Sequence, residues 1–205
     1  MKILAIGSHP DDIEYGVGGT LLRYAKKKHD IYLLVMTAGE AAGETHIRKI
    51  EQQKAASLLN VKKLIWGNYK DTELVMNQNT VSFIEAAIDS IRPDEIYVNC
   101  PQDTHQDHRA LADCVISASR YSKKVFFYED FTSCDFSPDI FVDIENVLDE
   151  KINLISQHFS QINKPNPANL NLVDSIKAMA NFRGFQGKIK YAEGFKAYRY
   201  LKEIA

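Results

Sequence analysis

Short runs at residues 2–7, 31–36 and 95–100 are apolar nearly throughout, and each is followed by a longer segment with helical spacing. Strands covered on both faces read this way, because odd and even side chains alike must meet an apolar layer. Further runs at 63–66, 124–128 and 140–144 carry the β-branched and aromatic residues of strands. Helical periodicity fills 19–28, 45–59, 81–91, 108–119 and 147–159. Parallel strands need crossovers of about a dozen residues or more, and helices supply them here. The alternation therefore predicts an α/β fold, a Rossmann-like three-layer sandwich around a mostly parallel sheet.

Pro93 disfavours a helical conformation at Arg92 and so ends the third helix. Beyond residue 144 the alternation fades into a helix, a polar Pro-containing stretch at 161–169, a helix at 172–181 and a strand-like end at 197–201. This tail is expected to cover the sheet. With no repeat and no linker, residues 1–205 are expected to form one domain.

The chain carries 45% hydrophobic and 25% charged residues, enough for a full core, and a net charge of only -2. Nucleic acid is excluded as a partner, since no general positive field exists to neutralise phosphates. The apolar run at 3–6 meets His9 and two aspartates at once, leaving no room for a signal-peptide core or a membrane span. Three scattered cysteines, Cys100, Cys114 and Cys134, read as reduced small hydrophobes, and a cytoplasmic setting is expected.

Ligands of open α/β sheets bind beyond the carboxyl ends of the strands, so the strand exits carry the chemistry. The first strand exits into Ser8-His9-Pro10-Asp11-Asp12-Ile13-Glu14, and the strand ending near Cys100 exits into Pro101-Gln102-Asp103-Thr104-His105-Gln106-Asp107-His108. Either loop alone could be a helix cap with acidic residues on the dipole. Together they hold half of the six histidines at the edge where such folds bind ligands. A catalytic zinc site commonly takes two histidines and one carboxylate and keeps a position open, and these loops supply that set with spare carboxylates. Asp107 could orient a ring nitrogen, as metal-bound histidines require. Spacing alone does not separate Asp11 from Asp12. Gly16, Gly18 and Gly19 lack the G-x-G-x-x-G spacing of a dinucleotide site, and a tight glycine turn with close packing of the first helix is expected instead.

Ile6 to Glu14, Gly18-Gly19-Thr20 and His105-Gln106-Asp107-His108 resemble the signatures of the LmbE-like, or PIG-L, zinc-dependent N-acetylglucosaminyl deacetylases. Weaker likenesses are Thr37-Ala38-Gly39-Glu40, Arg48 with Glu51, Asp71, Ser160-Gln161 and Tyr191-Ala192-Glu193-Gly194-Phe195. The resemblance implies His9, Asp12 and His108 as metal ligands, Asp11 as general base, and His105 as a cationic stabiliser held by Asp107. It further implies substrate contacts from Arg48, Asp71 and Tyr191, a small amino-sugar substrate, and trimers or hexamers. Without it, Arg48 would pair with Glu51 one turn away, Asp71 would cap a turn, Tyr191 would pack, and Glu14 would be a first-turn helix residue. Zinc is the implied metal, although two histidines and one aspartate also accept iron or cobalt.

The function implied is hydrolysis of an N-acetyl group from an amino sugar to acetate and a free amine. The same metal site on another amide, such as a thiol conjugate, is the alternative. A nucleotide-binding or metal-sensing module without turnover is the contrasting class, and the adjacent aspartates argue against it, since a sensor has no need of an uncoordinated base.

Overall fold

The computed structural model describes residues 1–164 and 170–202. Its centre is a seven-stranded sheet in the order β3-β2-β1-β4-β5-β7-β6. Strands β1 (Lys2–Gly7), β2 (Asp30–Thr37), β3 (Lys63–Tyr69), β4 (Glu95–Asn99) and β5 (Lys124–Tyr128) are parallel. β7 (Ala192–Tyr200) runs antiparallel between β5 and β6 (Ile140–Asp143). The helices are α1 (Asp12–Lys26), α2 (Thr45–Leu58), α3 (Gln78–Ile91), α4 (Gln106–Ala118), α5 (Leu148–Ile155), α6 (Phe159–Ile162) and α7 (Leu172–Gly187). No helix among the described residues is long and apolar enough to cross a membrane.

The continuous apolar strands have the predicted cause. Along β1, Ile3 and Ala5 pack into one layer with Val17 and Leu21 of α1 and Leu154 and Ile155 of α5. Leu4 and Ile6 point the other way, toward Ile84 and Ile88 of α3 and Leu111 and Val115 of α4. The residues of both layers are buried, and each buried Leu or Ile contributes about 1.5–3 kcal/mol of transfer free energy.

Two expectations change. α1 starts at Asp12, well before residue 19, and Gly16, Gly18 and Gly19 lie inside it rather than in a tight turn. Local propensity argues against glycine there, but tertiary packing decides. A Cβ on Gly16 would stand 2.1 Å from the Tyr128 ring, and one on Gly19 would stand 2.8 Å from Ile144 Cγ2. The close packing expected of these glycines is present; the turn is not. The C-terminal tail also differs, because its strand enters the sheet as β7 instead of covering it, and α7 does the covering. Glu193 of β7 explains the insertion: it accepts from the Gly19 and Thr20 amides at 2.7 Å each and meets Lys151 Nζ at 2.6 Å. Of the expected polar loop, residues 165–169 lie outside the described residues.

Alanine at an ordinary helical glycine gains about 1 kcal/mol. At Gly16 the clash with Tyr128 reverses the sign, and Gly16→Ala is expected to lose about 3 kcal/mol in urea unfolding. An unchanged or raised midpoint would show that the α1–β5 contact relaxes freely.

Candidate active site

The exits of β1 to β5 converge at one edge. Thr37 donates from its amide and hydroxyl to the Ser8 carbonyl at 2.9 and 3.0 Å, and the Ser8 amide donates to Asn99 Oδ1 at 3.2 Å. These bonds fix the β1 loop between its two neighbours. Asp11 precedes α1 with φ 96° and ψ -29° and makes no capping bond with its side chain. A non-glycine residue in that region costs about 1–3 kcal/mol. Its carboxylate, released from capping, meets Arg48 Nη2 at 3.3 Å.

Asp12, in the first turn of α1, sits between two imidazoles. Its Oδ2 is 3.5 Å from His9 Nδ1 and 3.3 Å from His108 Nε2. Bonds of about 2.0–2.1 Å in a tetrahedral site put neighbouring donors about 3.3–3.4 Å apart, so these separations suit a zinc-sized ion. The outer ring nitrogens are equally defined. His9 Nε2 faces Asp71 Oδ1 at 2.9 Å and Asp107 Oδ2 at 3.3 Å, and His108 Nδ1 faces Asp103 Oδ2 at 3.1 Å. Carboxylates on the far nitrogens leave the inner ones facing Asp12, the kind of backing that metal-bound histidines normally have. Among the described residues the groups of three donors that all lie within 4.8 Å of one another are His9 with His105 and His108, His9 with Asp71 and Asp107, and Asp12 with His108 and Asp130; His9, Asp12 and His108 share Asp12 as the common neighbour of both rings instead. The second group engages the His9 nitrogen turned away from Asp12, so its carboxylates orient the ring instead of competing for the ion.

Electrostatics follow this geometry in the metal-free protein. Burial would lower both histidine pKa values, but Asp12 and the outer carboxylates outweigh it, holding His9 well above its ordinary value and His108 at about 10. For Asp12, burial is overcome by His108 and His9, and its carboxyl lies well below the usual range. Burial raises Asp11 against the pull of Arg48, and raises Asp130, together with the charge of Asp12, to about 8.

His105 stacks on His108 with ring centroids 4.7 Å apart, and its Nδ1 accepts the Asp107 amide at 3.2 Å. An imidazolium has only donors, so this bond selects the neutral Nε2–H ring. Burial and the neighbouring His9 and His108 push its pKa down in the same direction. The expected pairing of His105 with the Asp107 carboxylate is not formed, because that carboxylate is turned to His9 and to the Thr72 amide at 2.8 Å.

Arg48 is 3% exposed and does not pair with Glu51. It donates to the carbonyls of Gly39 at 2.8 Å and Pro10 at 2.6 Å, passing where a Cβ on Gly39 (φ 67°) would be 1.7 Å from Nη1. Glu51 instead receives the amide and hydroxyl of Ser160 at 2.7 Å each. Asp71 borders the pocket but spends its oxygens on His9 and on the Ala41 amide at 2.9 Å. Tyr191 does not join the site: it packs beside the core and lines a depression with Glu145 and Lys177. Glu14 is fully buried, with Gln52 Nε2 at 2.6 Å and His158 Nε2 at 3.3 Å, and is more than a first-turn residue. Asn99, Asp103 and Asp130 received no role in the sequence. Asp103 lies in the loop that leaves β4, and Asp130 follows the exit of β5, so strand exits are the signal for both.

The sequence model of the PIG-L family, described as GlcNAc-PI de-N-acetylase, matches residues 4–119. The chain belongs to the PIG-L family. It is 33% identical over 167 residues to the Escherichia coli K12 protein named uncharacterized deacetylase YaiS, covering 77% of this chain and 90% of that one. It is 27% identical over 226 residues to diacetylchitobiose deacetylase of Thermococcus kodakarensis, covering 95% of this chain and 82% of that one. The solved N,N′-diacetylchitobiose deacetylase of Pyrococcus horikoshii superposes with a TM-score of 0.82 at 25% identity, covering 96% and 83% of the two chains. As a PIG-L family member with this fold, the protein is an amide hydrolase of the deacetylase type, and it has His and Asp groups able to hold a metal ion.

An ion at Asp12 must displace the proton that keeps His108 charged up to a pH of about 10. Metal binding is therefore expected to release protons at pH 7 and to tighten as the pH rises toward 9, measured by calorimetry in buffers of different ionisation enthalpy. A pH-independent affinity would mean the ion avoids His108. Asp103→Asn is expected to weaken zinc binding about 10–100-fold without loss of fold, checked by competition with a chelating dye and by circular dichroism.

Proposed function

We propose that the protein is a zinc-dependent deacetylase that hydrolyses the N-acetyl group of an N-acetylglucosamine-type sugar to acetate and a free amine. The observation that carries this reading is one carboxylate between two carboxylate-backed imidazoles, with a second carboxylate one residue away that pairs with Arg48 instead of the rings. His9, Asp12 and His108 would hold the ion, which supplies a Lewis acid beside the acetamide. Iron or cobalt would serve the same donors. Family membership and the similarity to two diacetylchitobiose deacetylases support the sugar substrate. No observation favours the thiol-conjugate alternative. The free state of all three cysteines supports a cytoplasmic setting.

Asp11 takes a proton from water as its oxygen attacks the acetamide carbon. Burial raises its basicity against the opposing pull of Arg48, whose guanidinium at 3.3 Å holds the carboxylate in place. The carbonyl oxygen gains negative charge, which His105 stabilises by donating from Nε2–H. Collapse breaks the C–N bond, and the proton held by Asp11 passes to the leaving nitrogen, giving amine and acetate. Asp107, fully buried, positions His9 and touches no substrate. Arg48 contributes through Asp11 and the pocket wall.

Release of primary amine from a panel of N-acetylglucosamine derivatives tests the reading directly, and silence across the panel with metal bound would sink it. Asp11→Asn is expected to keep one zinc per chain while turnover falls at least about 100-fold. His108→Ala is expected to lose stoichiometric zinc, and one tightly held ion in that variant would place the site elsewhere.

A further inference from the structure

Asp130 has no task in the reaction above, yet it lines the same hollow as His9, Asp12 and His108 and is only 4% exposed. It offers a carboxylate oxygen within 4.8 Å of the donor atoms of both Asp12 and His108.

Its place is set by bonds that lead back to His108. Ser133 Oγ accepts the Asp130 amide at 2.8 Å and donates to Asp103 Oδ2 at 3.0 Å, and that same oxygen faces His108 Nδ1 at 3.1 Å. The backbone repeats the tie. Asp103 and Ser133 form an antiparallel bridge, the Thr104 amide donates to the Thr132 carbonyl at 3.0 Å, and the Cys134 amide donates to the Gln102 carbonyl at 2.8 Å. One framework therefore places Asp130 and His108, although they leave different strands.

The turn after β5 does not by itself call for a charge. Asp130 Oδ1 accepts the Phe131 amide at 2.6 Å, and the Ser133 amide donates to the Asp130 carbonyl at 3.1 Å. Asparagine would make both bonds equally well. A second buried carboxylate beside Asp12 is unfavourable until a cation joins the two, because like charges repel strongly where water is excluded. With Oδ1 engaged in the turn, Oδ2 is left for that cation.

We infer that Asp130 is a fourth protein donor to the ion of this site, so that two imidazoles and two carboxylates surround it. The inference rests on the metal-dependent reading above and adds a ligand to it. A catalytic zinc with three protein donors keeps its fourth position for water and can expand to five. Asp130 fills that fourth position in the substrate-free enzyme, and substrate enters by expansion.

The test reads metal binding with no substrate present. Asp130→Asn keeps the turn acceptor and is expected to bind zinc at least about tenfold more weakly in competition with a chelating dye, since even groups standing behind a ligand are worth that much. In the cobalt-loaded variant the visible bands are expected to shift, and added imidazole, a neutral donor, to bind at the vacated position about tenfold more tightly than in the wild type. Asp130→Ser, whose hydroxyl also serves the turn, is held to the same expectations. Unchanged zinc affinity overturns the inference. So does a loss of affinity with wild-type cobalt bands and wild-type imidazole binding, because Asp130 would then act through Ser133, Asp103 and His108. His108→Ala measured alongside separates the two readings: if it loses zinc while Asp130→Asn binds normally, only the fourth donor falls, and if neither loses zinc, both fall.

Discussion

The carboxylate of Asp12 is the point on which the site depends. One oxygen, Oδ2, receives the His9 amide at 3.0 Å and Asn99 Nδ2 at 3.3 Å, and faces both His9 Nδ1 and His108 Nε2. It therefore joins the exits of β1 and β4, which are neighbours in the sheet. Burying a carboxylate without partners would neutralise it, and two charged rings prevent that here. The same cluster is strongly unbalanced without a cation: four carboxylates, Asp12, Asp71, Asp103 and Asp107, surround two imidazoles. Raised basicity of both rings relieves this imbalance, and a divalent ion held there would take the place of their protons.

The first helix serves this carboxylate. Because α1 begins at Asp12, the carboxylate stands at the positive end of the helix dipole. The helix must also approach β5 and the 144–148 region closely, and Gly16 and Gly19 give up side chains to let it. Glu193 then receives the amides of Gly19 and Thr20 and pairs with Lys151, tying β7 and α5 to the same helix. The antiparallel strand at the far side of the sheet is thereby coupled to the position of Asp12.

Arg48 organises the opposite wall. Its guanidinium threads past Gly39, reaches the carbonyls of Gly39 and Pro10, and ends on Asp11. The left-handed backbone of Asp11 costs stability that the surrounding bonds offset, and the result is a carboxylate bordering the pocket instead of capping its helix. Adjacent aspartates with identical chemistry thus acquire different tasks: Asp12 is caught between rings, and Asp11 is presented to the pocket on an arginine.

Periodicity alone determined the layered α/β architecture, because strands apolar on both faces can only be buried between helices, and the exits of β1 and β4 marked the edge where the histidines gather. The family likeness singled out His9, Asp12 and His108 and separated Asp12 from Asp11, which spacing could not. Only the tertiary structure decided the rest. That α1 runs through three glycines follows from Tyr128, Leu154 and Ile144, which are over a hundred positions away in the chain. Long-range pairing placed β7 inside the sheet, and buried carboxylates chose their partners by distance: Asp107 took His9 rather than His105, and Glu51 took Ser160 rather than Arg48. Local sequence carries the period of a strand or helix and the chemistry of a side chain, but which buried charge meets which is settled by packing.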